Sequence, residues 1–259
     1  MKRDVKLDVK NIRFSIESKL IIDGVSFDVE RGKYIGIVGP NGCGKSTLLK
    51  NIYKVYKPDA GVVMIDGQDV AKMSSRDTAH EMSVMQQENI IEFDMAVYDM
   101  VMLGRYSHQK MFQNTKEKDK EIVMNAIREV GLTGYEERSF LSLSGGEKQR
   151  ALVARALVQQ APVIILDEPT NHLDIGYQYQ IMNILKRQKM TTVSAIHDLN
   201  VASCYCDEIV MMKQGKIVAI GTPEEMFVPE LIKELFGVDT QIFKNSVTGR
   251  PNIVFLPEL

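Results

Sequence analysis

The run Gly39-Pro40-Asn41-Gly42-Cys43-Gly44-Lys45-Ser46-Thr47 has the spacing G-x-x-x-x-G-K-[ST]. Glycines so placed let successive backbone N–H groups turn inward around an anion with no Cβ in the way. A helix pattern follows from residue 46 to about 53, and its N-terminus adds partial positive charge to the same anion. Lys45 can reach the β- and γ-phosphates of a nucleotide, and the Ser46 hydroxyl can ligate Mg²⁺. The competing reading is a plain glycine-rich turn; the strand–loop–helix context favours the phosphate cradle. Cys43 reads as a tolerated small residue rather than a redox sensor.

Two further groups could act on such a nucleotide. Val163-Ile164-Ile165-Leu166-Asp167-Glu168 is an apolar strand ending in two adjacent carboxylates. Successive strand side chains point to opposite sides, so Asp167 can hold Mg²⁺ through its hydration shell while Glu168 polarises the attacking water. Two solvent-facing acids would be the bland alternative. Leu143-Ser144-Gly145-Gly146-Glu147-Lys148-Gln149-Arg150 precedes a predicted helix over about 147–160. Ser144, Gly145 and Gly146 make that helix start a second anion-binding device. One nucleotide cannot easily use both devices from one subunit when the second sits on a separate helical insertion. A two-fold pair of chains solves the geometry, each covering the other's phosphate loop across an isologous interface.

These groups need a scaffold, and the chain supplies the pattern for one. Residues 6–14 and 25–29 alternate apolar and polar as half-buried strands do, the first with one slip. Residues 34–38, 163–166 and 191–196 are short apolar runs of the kind buried on both faces of a parallel sheet. Residues 62–65 read as a strand, and 209–212 with 217–220 as a hairpin about Lys213-Gln214-Gly215-Lys216. From about 94 to 157 the character is helical. The expected class is α/β, with a helical insertion at about 90–155. The 259 residues, net charge of −2 and 44% hydrophobic content suit one large domain or two small ones. That near-neutral balance argues against nucleic acid as a partner. Three cysteines make no disulfide framework and favour a reducing compartment; Cys204 and Cys206, on a predicted helix, lack the further ligands of a zinc site. No signal-peptide core opens the chain, and no apolar run approaches the ~20 residues a membrane helix needs.

The order phosphate loop, Leu143-Ser144-Gly145-Gly146, Asp167-Glu168, His197 resembles the ABC ATPase family, over about residues 7–236. The resemblance implies a P-loop NTPase (RecA-like) core with a parallel sheet and an N-terminal antiparallel β subdomain. It implies hydrolysis of ATP with Mg²⁺, two ATP molecules being sandwiched between two copies. Gln87 resembles the lid-loop glutamine that contacts Mg²⁺ and senses the permease, with Gln86 its rival in register. Ser144, Gly145 and Gly146 resemble the signature motif acting in trans, and Leu173-Asp174 the loop linking the two active sites. His197, which alone would read as structural, resembles the switch histidine at the γ-phosphate. Two positions depart from the family pattern: Glu147 stands where glutamine is usual, and the place of the adenine-stacking aromatic falls on Ile16, with Phe14 two residues earlier.

Three softer stretches resemble one subfamily, the importers of iron–siderophores, haem and cobalamin: residues 97–106, residues 229–238 and Val247-Thr248-Gly249-Arg250-Pro251. The resemblance implies an ATPase domain over 1–240, a short closing segment over 241–259, and a place at the cytoplasmic face of the cell membrane. Its implied partners are permease subunits and, indirectly, an extracytoplasmic binding protein. The loop around Gln87 and the segment after it, including Tyr98 and Arg105, would form the permease docking surface. Iron–siderophore ranks first as cargo. The alternative is an ABC ATPase of a non-transport assembly system, such as iron–sulfur cluster assembly.

Overall fold

The computed structural model describes residues 4–86, 94–108, 117–171 and 173–257. Two compact units emerge, one of Met1–Lys72 with Met190–Leu259 and one of Met73–Lys189. The stretch 90–155 lies inside the second unit and 241–259 inside the first.

The first unit opens with β1 (Val5–Ile16) and β2 (Lys19–Glu30), an antiparallel hairpin. Its turn residues Glu17 and Ser18 both have positive φ, the geometry that matches the twist of a two-residue hairpin. The slip in the apolar alternation of β1 is a bulge. Val9 pairs with Phe27 but Ile12 with Val25, so β1 spends one extra residue there, and Asn11 takes a left-handed φ of 49°. The extra residue keeps Leu7, Val9 and Ile12 all buried. β3 (Tyr34–Val38) is buried at every position and leads into the glycine loop and α1 (Lys45–Ile52). β4 (Ala60–Ile65) adds to β1 antiparallel, and β5 (Gln68–Asp69) completes a sheet in the order β2-β1-β4-β5.

The second unit runs through α2 (Ser75–Glu81), β6 (Met82–Met85), α3 (Val97–Met102), α4 (Glu117–Glu129), α5 (Gly145–Val158), β7 (Val163–Asp167) and α6 (Ile175–Arg187). Of these, α2, β6 and α6 are not among the elements expected from the sequence. β6 pairs parallel with β7, from Met82 opposite Val163 to Met85 opposite Leu166. Apolar side chains of α3, α4 and α5 (Val97, Val101, Val123, Ile127, Leu152 and Val153) are buried. Arg105 is buried with them, contrary to its expected place on a docking surface. Its Nε donates to Asp119 Oδ1 at 2.9 Å and its Nη1 to the Val158 carbonyl at 2.7 Å and to Gln160 Oε1 at 3.0 Å. A guanidinium so occupied ties the segment after α3 to α4 and to the end of α5.

The chain then returns to the first unit with β8 (Thr191–Ala195), α7 (Leu199–Tyr205), β9 (Glu208–Lys213), β10 (Lys216–Gly221), α8 (Pro223–Met226), α9 (Pro229–Phe236), β11 (Thr240–Lys244) and β12 (Pro251–Phe255). β3 lies between β8 and β9, parallel to both, and β10 closes this part as the expected hairpin with β9. Cys206 falls just past α7, not within it. It is buried, and a Cβ added at Gly36 would sit 2.6 Å from its sulfur. No group of three or more metal-ligating side chains occurs among the described residues. The last two strands form a hairpin held to α7 by Asn200, whose side chain both donates to and accepts from the backbone of Ile253. The expected class, α/β with parallel strands and an N-terminal antiparallel sheet, is the one observed.

Candidate active site

The phosphate loop begins where β3 ends. Gly39 is obligatory, because a Cβ there would lie 2.2 Å from the carbonyl oxygen of Met212 on β9. Gly44 takes a left-handed φ of 107° and caps α1, a backbone conformation that a side chain there would strain. The Cys43 carbonyl accepts from Gly215 N–H at 2.9 Å, which fastens the loop to the β9–β10 turn. Lys45, only 5% exposed, donates from Nζ to the carbonyls of Gly39 at 2.7 Å and Pro40 at 3.2 Å. The ammonium is thus folded back over the loop that Gly39, Pro40, Asn41, Gly42, Cys43 and Gly44 form, with Ser46 and Thr47 in the first turn of α1. Burial pushes the Cys43 thiol up, against the pull of the Lys45 ammonium, so the group stays a thiol.

His197 shares this end of the unit. Ile37 on β3 is in register with Ala195 on β8, so Gly39 and His197 each stand two residues beyond paired positions of adjacent parallel strands. Carboxyl ends of parallel strands are where α/β folds bind ligands. His197 is exposed, and Asp198 behind it caps α7 by accepting from the N–H groups of Asn200 and Val201. At the far end of β1, Ile16 is 43% exposed, while Phe14 stacks on Tyr56 with ring centroids 4.9 Å apart. The register slips between Phe14 and Ser15, where β2 spends the extra residue, Ile21, and β1 advances by one. Tyr56 has no motif around it, so nothing in the sequence points to it.

In the second unit, β7 is buried throughout and carries Asp167 at its end, 2% exposed. Glu168 leaves the strand with φ 52°, a left-handed conformation that costs a non-glycine residue about 1–3 kcal/mol. Three hydrogen bonds hold it there. Its carbonyl accepts from Gln149 Nε2 and from Asn171 N–H, and its Oε2 accepts from Asn171 Nδ2, each at 3.1 Å. Sequence reasoning gives Gln149 and Asn171 no role; the place of Gln149 in the run 143–150 is the only signal for either. Leu173 is buried and Asp174 precedes the first turn of α6. Gln87 lies outside the described residues.

Ser144 is the N-cap of α5, and Gly145 and Gly146 form its first turn, two residues earlier than expected. The unusual Glu147 completes a capping box. Its Oε2 accepts from both Ser144 N–H and Ser144 Oγ at 2.8 Å, and its own N–H donates to Ser144 Oγ. The Ser144 N–H, then the Ser144 hydroxyl, hold the Glu147 carboxyl below the usual range. A glutamine oxygen could accept the same bonds, so the departure from the family pattern leaves the cap intact.

A family model described as ABC transporter matches residues 22–171, more than half of the chain. The chain belongs to the ABC transporter family. The iron(3+)-hydroxamate import ATP-binding protein of Bacillus subtilis is 33% identical to this ABC protein over 249 residues, 95% of this chain and 93% of that one. The ferric enterobactin transport ATP-binding protein of Escherichia coli is 35% identical over 238 residues, 90% of this chain and 88% of that one. Among solved structures, an inward-facing metal-chelate type ABC transporter superposes with a TM-score of 0.83 at 26% identity, covering 98% of both chains. The resemblance read from the motifs is borne out. No helix among the described residues of this ABC protein is long and apolar enough to cross a membrane.

Proposed function

We propose that this chain is the ATP-hydrolysing nucleotide-binding subunit that energises import of a metal chelate, an iron–siderophore first, through partner permease subunits. Carrying the reading is the presence in one chain of two glycine-bearing helix starts, at Gly44 and at Ser144, together with a strand-end acid pair. The import subunits among its relatives supply the cargo class, and they leave the non-transport assembly alternative without support. Lys45, already seated in the loop, supplies counter-charge to the β- and γ-phosphates. His197, at the end of the strand beside the loop, contacts the γ-phosphate. Glu168 orients the attacking water. Ile16 covers the adenine.

Mg²⁺ suits the donors present: the Ser46 hydroxyl and the buried Asp167 carboxylate are hard oxygens, as that ion prefers, with Gln87 a third. When bound, the ion neutralises charge developing on the transferred phosphoryl group. Ser144, Gly145 and Gly146 serve the nucleotide of a second copy, so the working unit is a pair at the cytoplasmic face of the membrane. An extracytoplasmic binding protein feeds the permease. Gel filtration of Glu168→Gln with Mg-ATP tests the chemistry. ATP should bind without steady-state turnover and the variant should run as a dimer; a monomer that hydrolyses like wild type would overturn the reading.

A further inference from the structure

Gln149 lies on α5, roughly one and a half turns beyond Ser144. It is 9% exposed, and its Nε2 reaches the carbonyl of Glu168 at 3.1 Å. The bond goes to the main chain, not to the carboxylate, so it fixes where Glu168 stands without neutralising its charge. The same carbonyl also accepts from Asn171 N–H. Two donors thus occupy a carbonyl's two acceptor sites and define the orientation of the peptide plane after Glu168. A left-handed backbone at a non-glycine residue persists only where its surroundings over-determine it. Gln149 is a part of those surroundings that comes from outside the turn itself.

We propose that Gln149 is a positioning residue for ATP hydrolysis. It locks the backbone of Glu168 so that the carboxylate faces the attacking water, and it ties that placement to the helix whose first turn is Ser144-Gly145-Gly146. The proposal rests on the reading of Glu168 as the water-orienting base. Gln149→Met keeps side-chain length and helix propensity and loses the amide, and with it the donor to Glu168. Because small misplacements of a reacting group cost up to about a hundredfold in rate, kcat of the full chain should fall about tenfold or more. KM for ATP and the melting midpoint should stay near wild type, and Gln149→Lys, which restores a donor, should recover part of kcat.

Single-turnover hydrolysis in the Glu168→Gln background separates the proposal from the reading beneath it. Adding Gln149→Met there should cost nothing further, since the group it positions is gone. A kcat within twofold of wild type for Gln149→Met, or a loss that tracks KM and melting midpoint, overturns the positioning role. Normal hydrolysis by Glu168→Gln alone instead overturns the assignment of Glu168. If Gln149→Met does not fold, the isosteric Gln149→Glu, which turns an acceptor toward the same carbonyl, replaces it with the same expected and overturning results.

Discussion

At the scale of single residues, the stack of Phe14 on Tyr56 separates two roles that sequence register leaves open. A ring engaged by Tyr56 contributes to the fold, and such a pair is worth about 0.5–1.5 kcal/mol beyond area burial. Phe14→Ala should therefore lower the melting midpoint while changing ATP affinity little. Ile16→Tyr, which adds a π face at an exposed strand end, should tighten ATP binding several-fold in a fluorescent-nucleotide titration. Glu147 gives a residue-scale pH test. Its carboxyl titrates lower in the folded state than the usual ~4.3 of an unfolded glutamate, so its contribution is present above that value and lost as pH falls through the folded one. Wild type should be more stable than Glu147→Gln above about pH 5, and the two melting curves should converge as pH falls below the unfolded value and through the folded one.

At the scale of elements, Arg105 joins the segment after α3 to α4 and to the carbonyl end of α5. Removing one partner of a buried pair leaves an uncompensated charge, at a cost of about 3–5 kcal/mol. Arg105→Ala should show that loss in chemical denaturation, and basal ATPase and transport should fall together. Loss of transport alone, with unchanged stability, would return the residue to a docking role. The nearby half-buried Tyr98 keeps the expectation that transport suffers more than hydrolysis.

At the scale of the whole molecule, the proposed pairing of two chains that supply complementary parts predicts complementation. Lys45→Ala removes the counter-charge of the phosphate loop, and Ser144→Arg blocks the start of α5; each homodimer should be inactive. Mixed, they form heterodimers in which one of the two sites is intact. Random pairing would restore about a quarter of wild-type ATPase if the sites act independently. No recovery on mixing would mean that Ser144 serves the nucleotide of its own chain.

Much of the machinery is legible in the amino-acid sequence by itself, because it depends on neighbours in the chain. The glycine spacing from Gly39 to Gly44, the buried run ending at Asp167, the capped start of α5 and the β9–β10 hairpin all follow from local sterics and periodicity. Family and fold class come with them. Residues distant in sequence decide the rest. β6 is four residues without clear alternation, and its pairing with β7 makes it a strand. The charge of Arg105 suggests a surface, and Asp119 and Val158 bring it inside. Glu168 announces its chemistry by type, but its left-handed backbone and the amide of Gln149 that holds it exist only in three dimensions. A side chain's type and spacing state what it can do; which partners desolvate, orient or occupy it is settled by packing, which no local pattern encodes.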